Sequence, residues 1–380
     1  MSVTIRKVES AADFRAFFEF PWTLYKDDPN WTPVLLSMRR DTLDKKKNPA
    51  WDYMEGDYFT AWRGSQLVGT ITAHINHRHN EINKEHIGWF GFFETINDAE
   101  VAQALLNTAA EWVKTRGYDA IRGPQSFTTH EECGLLINNF SQPMLLMPYN
   151  PPYYQTLLEN AGWHKVMDVH SVYYDRKIAD EHHTDERFEK IVKRTMERNK
   201  VTIRPIDMRR KKEEFRLFRD LYNAAWDVNW GFTPMTDKEL DTLIESLGMF
   251  FEPSLAFFAQ VEGEPVGFSL AIPNLNEVLH RAYPRPSEPE VLSLLKAVWH
   301  WKIKKVIRGV RLPLMGVLAQ HRNKGIEIAL LDATLKAIRP TQYDYMDAGW
   351  ILETNQLLSI VEKVGGKPYK THRFYQHDLK

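Results

Sequence analysis

The strongest constraint on how this chain folds is that a pattern in it occurs twice. Residues Phe59 to Ala73 read as a strand, a Gly64-Ser65 turn and a second strand. Residues Phe257 to Ala271 repeat it 198 positions later, with Ala259, Val266, Gly267 and Ala271 at the spacing of Ala61, Val68, Gly69 and Ala73. A second element recurs in the same order at an offset of about 203: a short helix stopping at glycine, Tyr154 to Gly162 and Leu358 to Gly365. These helices lead into the strands His170 to Tyr174 and His372 to Tyr375. Chance similarity of hairpins explains one match; two in order imply duplication.

Composition fits two folded copies. The 380 residues are 43% hydrophobic and 12% aromatic, enough apolar surface for two cores. Lys and Arg total 49 against 50 Asp and Glu, so the net charge of -1 provides no global field for nucleic acid, and any charged site must be local. The single cysteine, Cys133, excludes an intrachain disulfide framework and a multi-cysteine zinc site, which suits a reducing, cytoplasmic setting. No secretory signal and no transmembrane helix is expected, since no run of about 18 uncharged apolar residues occurs.

The expected fold class is α/β, a mixed α+β sheet built twice: residues 1–176, a charged linker or helix at 177–200, and residues 201–380. In each half a hairpin is followed by an apolar strand, an amphipathic helix, a strand, a helix and a strand. In the first half these include Gly88 to Phe93, Ala99 to Thr115 and Asp119 to Arg122. In the second they include Leu312 to Leu318, Ile326 to Ile338 and Tyr345 to Leu352.

This order resembles two tandem copies of the GCN5-related N-acetyltransferase (GNAT) fold. In that family a turn of the form Arg/Gln-x-x-Gly-x-Gly/Ala, between central strand and helix, holds the pyrophosphate of coenzyme A. The second half offers Arg322, Asn323, Lys324, Gly325 and Ile326 after the Val317 strand, but with Glu327 where a small residue is usual. The corresponding turn of the first half, Thr95 to Glu100, has no glycine and no cation. There Asn97 or Asp98 caps the helix and Glu100 repels phosphate. The resemblance therefore implies acyl-CoA as a co-substrate bound by the second copy, with no permanently bound cofactor.

Several strings, among them Asp28 to Trp31, Gly91 to Glu94, Glu132 to Leu136, Met147 to Tyr154, Asn229 to Phe232 and Trp350 to Asn355, resemble a narrower group. These are the tandem, YghO-like bacterial acyltransferases, which include the bacterial ceramide synthases. That likeness implies transfer of a fatty acyl group from a thioester to the amine of a long-chain sphingoid base. A GNAT-type enzyme for a small polar amine, or a non-catalytic ligand-binding tandem protein, are the alternatives.

Amide formation from a thioester needs a base for the amine, donors for the carbonyl and an acid for the thiolate. Family position points to Glu353 and Asn355 at the end of the Tyr345 strand, with Tyr375 as acid and the backbone N–H near Val317 as oxyanion donor. Glu353 is equally read as a carboxylate at a helix N-terminus. The first half offers a competing set: Glu94, whose aromatic neighbours raise a carboxyl pKa, and His130 with Glu132. Cys133 with His130 is open as a nucleophile pair, although a lone cysteine is more often a small buried residue. His77 and His79 would share one face of a strand as metal ligands with His74 and His86 nearby, but a solvated loop explains them better, so no metal is expected.

One stretch bears on partners. From Val291 to Ile326 there is no acidic residue, and eight cations alternate with aliphatic and Trp side chains. Within an insertion at about 277–311, residues 291–311 suit the face of a membrane, placing the protein peripherally on its inner surface. A solvated basic face, or a surface for an acidic acyl carrier protein, are the other readings.

Overall fold

A computed structural model describes residues 2–177, 180, 186–226, 229–248, 251–363 and 365–379. Residues 178–179 and 181–185 of the expected linker lie outside this description. The strands are β1 (Val3–Lys7), β2 (Met54–Arg63), β3 (Gln66–Asn76), β4 (Ile87–Thr95), β5 (Ala120–Gly123), β6 (Leu135–Leu136), β7 (His164–Asp175), β8 (Val201–Pro205), β9 (Ala256–Val261), β10 (Glu264–Pro273), β11 (Gly309–Val317), β12 (Tyr345–Leu352) and β13 (Lys367–Asp378). The helices are α1 (Ala11–Leu24), α2 (Leu36–Leu43), α3 (His77–Asn83), α4 (Ala99–Lys114), α5 (Tyr153–Asn160), α6 (Glu186–Arg198), α7 (Lys211–Trp226), α8 (Asp237–Gly248), α9 (Asn276–Ala282), α10 (Glu290–Val298), α11 (Ile326–Ile338) and α12 (Leu357–Lys363).

Local chemistry sets several of these boundaries. Ser10 and Asp13 form a reciprocal capping box that starts α1. Asp98 caps α4 through the N–H groups of Glu100 and Val101. The α4 face of Val101, Leu105, Leu106, Ala109 and Val113 is fully buried against the hairpin of β2 and β3, each large side chain contributing about 1.5–3 kcal/mol. Gly69 permits that approach, because a Cβ there would lie 2.7 Å from Leu105 Cδ1 and 2.9 Å from the Glu94 carbonyl.

The chain forms two compact units, one of residues 1–169, 278–305 and 370–380, the other of residues 170–277 and 306–369. In the first, the strand order is β1-β2-β3-β4-β5-β13. Here β4 and β5 are parallel, and Tyr375 of β13 pairs antiparallel with Gly123 of β5. In the second, the order is β8-β9-β10-β11-β12, with β11 and β12 parallel. Residues 278–305, read from the sequence as an insertion in the second copy, pack with the first unit. Among the described residues no helix is long and apolar enough to cross a membrane.

Candidate active site

Each unit carries a register shift in its central strand, the two lying two residues apart in the repeat. In the β3–β4 ladder, Gly69 faces Thr95 and Thr70 faces Glu94, but Thr72 faces Gly91, so β4 holds one extra residue. Phe92 absorbs it at φ 45°, and its carbonyl accepts the Thr70 hydroxyl at 3.1 Å. In the β10–β11 ladder, Gly267 faces Val317 and Phe268 faces Gly316, with a shift between Leu270 and Ile272. Since Gly69 and Gly267 correspond in the sequence repeat, Glu94 and Gly316 are equivalent positions.

In the first unit this position is furnished for proton transfer. Tyr25, at the end of α1, donates to Glu94 Oε2 at 2.6 Å, and Tyr154, in the first turn of α5, donates to the same oxygen at 2.8 Å. The Tyr154 oxygen also accepts the Thr95 N–H at 2.8 Å, which commits its own proton to Glu94. Among the described residues nothing hydrogen-bonds Oε1. Burial among aromatic rings pushes the Glu94 carboxyl up to about 7; the two phenols and the charge of Arg39 act against that rise, and Glu132 adds to it. Burial beside Glu94 holds both phenols well above the ordinary tyrosine range. Arg39 is framed by the rings of Phe18, Trp22 and Phe92 at 5.6, 5.9 and 5.7 Å, with burial lowering its pKa. Tyr25 stacks on Trp31 at 5.0 Å, and Tyr154 meets Phe93 edge-on at 5.2 Å.

In the second unit Gly316 leaves no room for a side chain. A Cβ would sit 2.8 Å from Ala225 Cβ and 3.1 Å from Trp226 Nε1, which donates to the Met315 carbonyl. The turn that follows is built as a helix start: Asn323 and Gly325 have φ 60° and 75°, and Gly325 caps α11. Arg322 turns inward, donating to the Val317 and Ala225 carbonyls, so it braces the loop. Lys324 is exposed, and its carbonyl accepts from Asn199. Burial raises the Glu327 carboxyl, which faces the backbone N–H groups of Asn323 and of Glu327 itself. A carboxylate therefore already faces two backbone N–H groups of this turn. Elsewhere in this unit an apolar cleft is lined by Phe215, Phe218, Leu243, Ile244, Phe251 and Phe268.

The remaining residues singled out from the sequence are placed as follows. Glu353 is exposed in the turn after β12, and Asn355 caps α12 by accepting the Leu357 N–H at 2.9 Å. Both belong to the second unit, whereas Tyr375 belongs to the first, 1% exposed, donating to Glu159 Oε1 at 2.9 Å. His130 is half-buried with its N–H on Thr128 Oγ1, and the exposed Glu132 reaches Glu94 only through its charge. Val317 and Ile326 are buried in the core beneath the loop. Cys133 is buried, and its segment bridges to Gln125. The histidines correct the sequence reading of a strand or solvated loop. His77 opens helix α3, and His79 is 1% exposed, 2.7 Å from Glu85 and edge-on to Trp89. His74 is fully buried on β3, where desolvation lowers its pKa to about 3 and keeps it neutral. Among the described residues no group of three or more His, Cys, Asp or Glu converges on a metal position. Tyr25 and Arg39 were not marked by any local pattern; Glu94 and Glu132 were, and Tyr154 lay within the Met147 to Tyr154 string.

No family model matches the chain. Comparison with solved structures shows a full-length likeness to a tandem GNAT protein from the clavulanic acid biosynthesis pathway, with a TM-score of 0.54 at 10% identity over 100% of this chain and 99% of that one. A GCN5-related N-acetyltransferase from Sphaerobacter thermophilus gives 0.51 at 11% identity over 100% and 96%. The fold is that of the tandem GNAT proteins. Among curated proteins, the chain is 33% identical to Protein YghO of Escherichia coli over 99% of its length and 95% of that protein's. It is 31% identical to the bacterial ceramide synthase of Caulobacter vibrioides over 99% and 98%. The chain belongs to this family of GNAT-fold acyltransferases.

Proposed function

We propose that the protein is an N-acyltransferase that moves a fatty acyl group from an acyl thioester to the amine of a long-chain sphingoid base, with Glu94 as general base. The observation that carries this reading is the Glu94 carboxyl on its bulged strand, one oxygen held by two phenols and the other open, with its pKa pushed up to about 7. A base so poised takes a proton from an ammonium or attacking amine near neutral pH. The amine nitrogen then bonds to the thioester carbon, the carbon–sulfur bond breaks, and the departing thiolate is reprotonated. The donor is acyl-CoA, with acyl carrier protein as the other donor carrier. Membership of a family that includes a ceramide synthase supports the acceptor class.

Incubation of the purified chain with acyl-CoA and sphinganine is expected to release free thiol and yield an amide detectable by mass spectrometry. Absence of amide across donor chain lengths overturns the sphingoid assignment. Turnover only with acetyl-CoA and small polar amines replaces it with that chemistry.

A further inference from the structure

Helix α10 and the wide turn Trp299–Ile303 that continues it are apolar and uncovered. Val291, Leu295, Val298, Trp299 and Ile303 are 58, 63, 54, 51 and 62% exposed, while Ser293 is the buried residue of the helix. Most of the large exposed hydrophobics of the described chain fall in this one segment, where a soluble surface would scatter them. Cations border it. Lys302, Lys304 and Lys305 are exposed, with Lys302 Nζ 3.6 Å from the Trp301 ring centre and Lys304 Nζ 5.9 Å from that of Trp299. The flanking acids are already engaged, Glu288 with Arg285 and Lys296, and Glu290 with the Ser37 N–H and hydroxyl.

We infer that this segment docks the protein on an anionic lipid bilayer, with Leu295, Val298, Trp299 and Ile303 entering the headgroup boundary and the three lysines meeting lipid phosphates. Amphipathic segments rich in Trp, Leu and Lys partition in this way, and juxtaposed lysines add electrostatic attraction to anionic lipid. The segment is fastened to the first unit beside the candidate site. Trp22 Nε1 donates to the Pro284 carbonyl at 2.6 Å, and Tyr283 meets Trp31 edge-on at 6.1 Å. Trp31 in turn stacks on Tyr25, whose hydroxyl binds Glu94. Two ring contacts and one hydrogen bond thus link Tyr283, just ahead of the bilayer-facing segment, to the proposed base. Resting on the proposed acyl transfer, the inference adds that the acceptor amine comes from the bilayer rather than from bulk water.

The test is co-sedimentation of the full chain with vesicles of phosphatidylcholine alone and of phosphatidylcholine mixed with phosphatidylglycerol, with tryptophan emission followed in parallel. Binding to the anionic vesicles with a blue shift is expected. The triple change Lys302→Gln, Lys304→Gln and Lys305→Gln should weaken it on the order of a hundredfold. Leu295→Glu with Trp299→Ser should abolish it, while turnover of a short, soluble amine stays as in the native chain and reports an intact fold. Glu94→Gln should bind vesicles like the native protein, so loss of catalysis and loss of docking are read separately. Failure of the native chain to bind either vesicle overturns the inference. A dimer that Leu295→Glu dissociates, or saturable binding of acidic carrier protein that the lysine changes remove, without vesicle binding, would assign the face to that partner instead.

Discussion

Glu94 and Gly316 hold the same register position in two bulged strands, one carrying a carboxylate between two phenols and the other closed by Ala225 and Trp226. The copies have diverged in complementary directions. The first has the titrating group and a capped, acidic turn; the second has the glycine-bearing turn and no side chain at the matching strand position.

Replacing Glu94 with Gln should lower kcat by about 10²–10⁴-fold, the range ascribed to positioned bases. The native enzyme should lose activity below pH about 7, where Glu94 protonates, and this limb should vanish in the variant. Steady-state rates between pH 5 and 9 measure both effects.

The same carboxyl makes a stability prediction. Its folded pKa of about 7 lies above the ordinary 4.5, so the native state holds an extra proton between those values, and stability falls as pH rises through them. Glu94→Gln should therefore gain on the order of 2 kcal/mol above pH 7, allowing for partial exposure, and nothing below pH 4. Urea titrations at the two pH values measure the difference.

Tyr25→Phe removes a donor that favours the charged carboxylate. A hydrogen bond to a charged group contributes roughly 1.5 kcal/mol or more, about one pKa unit. The acidic limb should move up by about one unit, with the rate at its high-pH plateau nearly unchanged. A limb that stays in place would show that Tyr25 does not position the base.

In the turn that resembles the family's pyrophosphate loop, Glu327→Gln removes the carboxylate that faces the Asn323 and Glu327 N–H groups. The expected result is a KM for acyl-CoA several-fold lower, with kcat held. Gly325→Trp should raise KM, because the position has φ 75° and a Cβ there would lie 2.4 Å from Thr195 Cγ2. Isothermal titration with a non-hydrolysable acyl-CoA analogue checks both.

The core of the second unit offers a control unconnected to turnover. Arg311 and Asp347 are 2% and 0% exposed, with Arg311 Nε 3.2 Å from Asp347 Oδ1, and Tyr369 donates to Asp347 Oδ2 at 2.9 Å. Arg311→Met should cost about 3–5 kcal/mol by stranding a buried carboxylate, and Arg311→Met with Asp347→Leu should recover much of that. Denaturant midpoints of the single and double variants decide it.

Local signals carried the elements well. Ile326 to Ile338 and Tyr345 to Leu352 were legible to the residue, because an amphipathic period and an apolar run end at clear punctuation there. The bulge at Phe92 was not legible, since it arises from pairing with a strand 20 residues earlier. Tyr25 and Arg39 reach Glu94 by folding over distances that no window spans. The histidines were read as a solvated loop, whereas Asn76 caps a helix there through the His79 N–H. Glu353 drew attention by family position, but it lies exposed in a turn, whereas Glu94 sits on a strand with two phenols on one oxygen.

Strand β13 has a consequence for how the molecule is made. Residues 370–378 complete the sheet of the first unit, with Tyr375 against Gly123 and Arg373 bridging Asp168 at 2.8 Å. On the ribosome the amino-terminal unit must therefore wait, its β5 edge open, until residues 370–378 have emerged. A chain broken off before Lys370 would fail at its beginning.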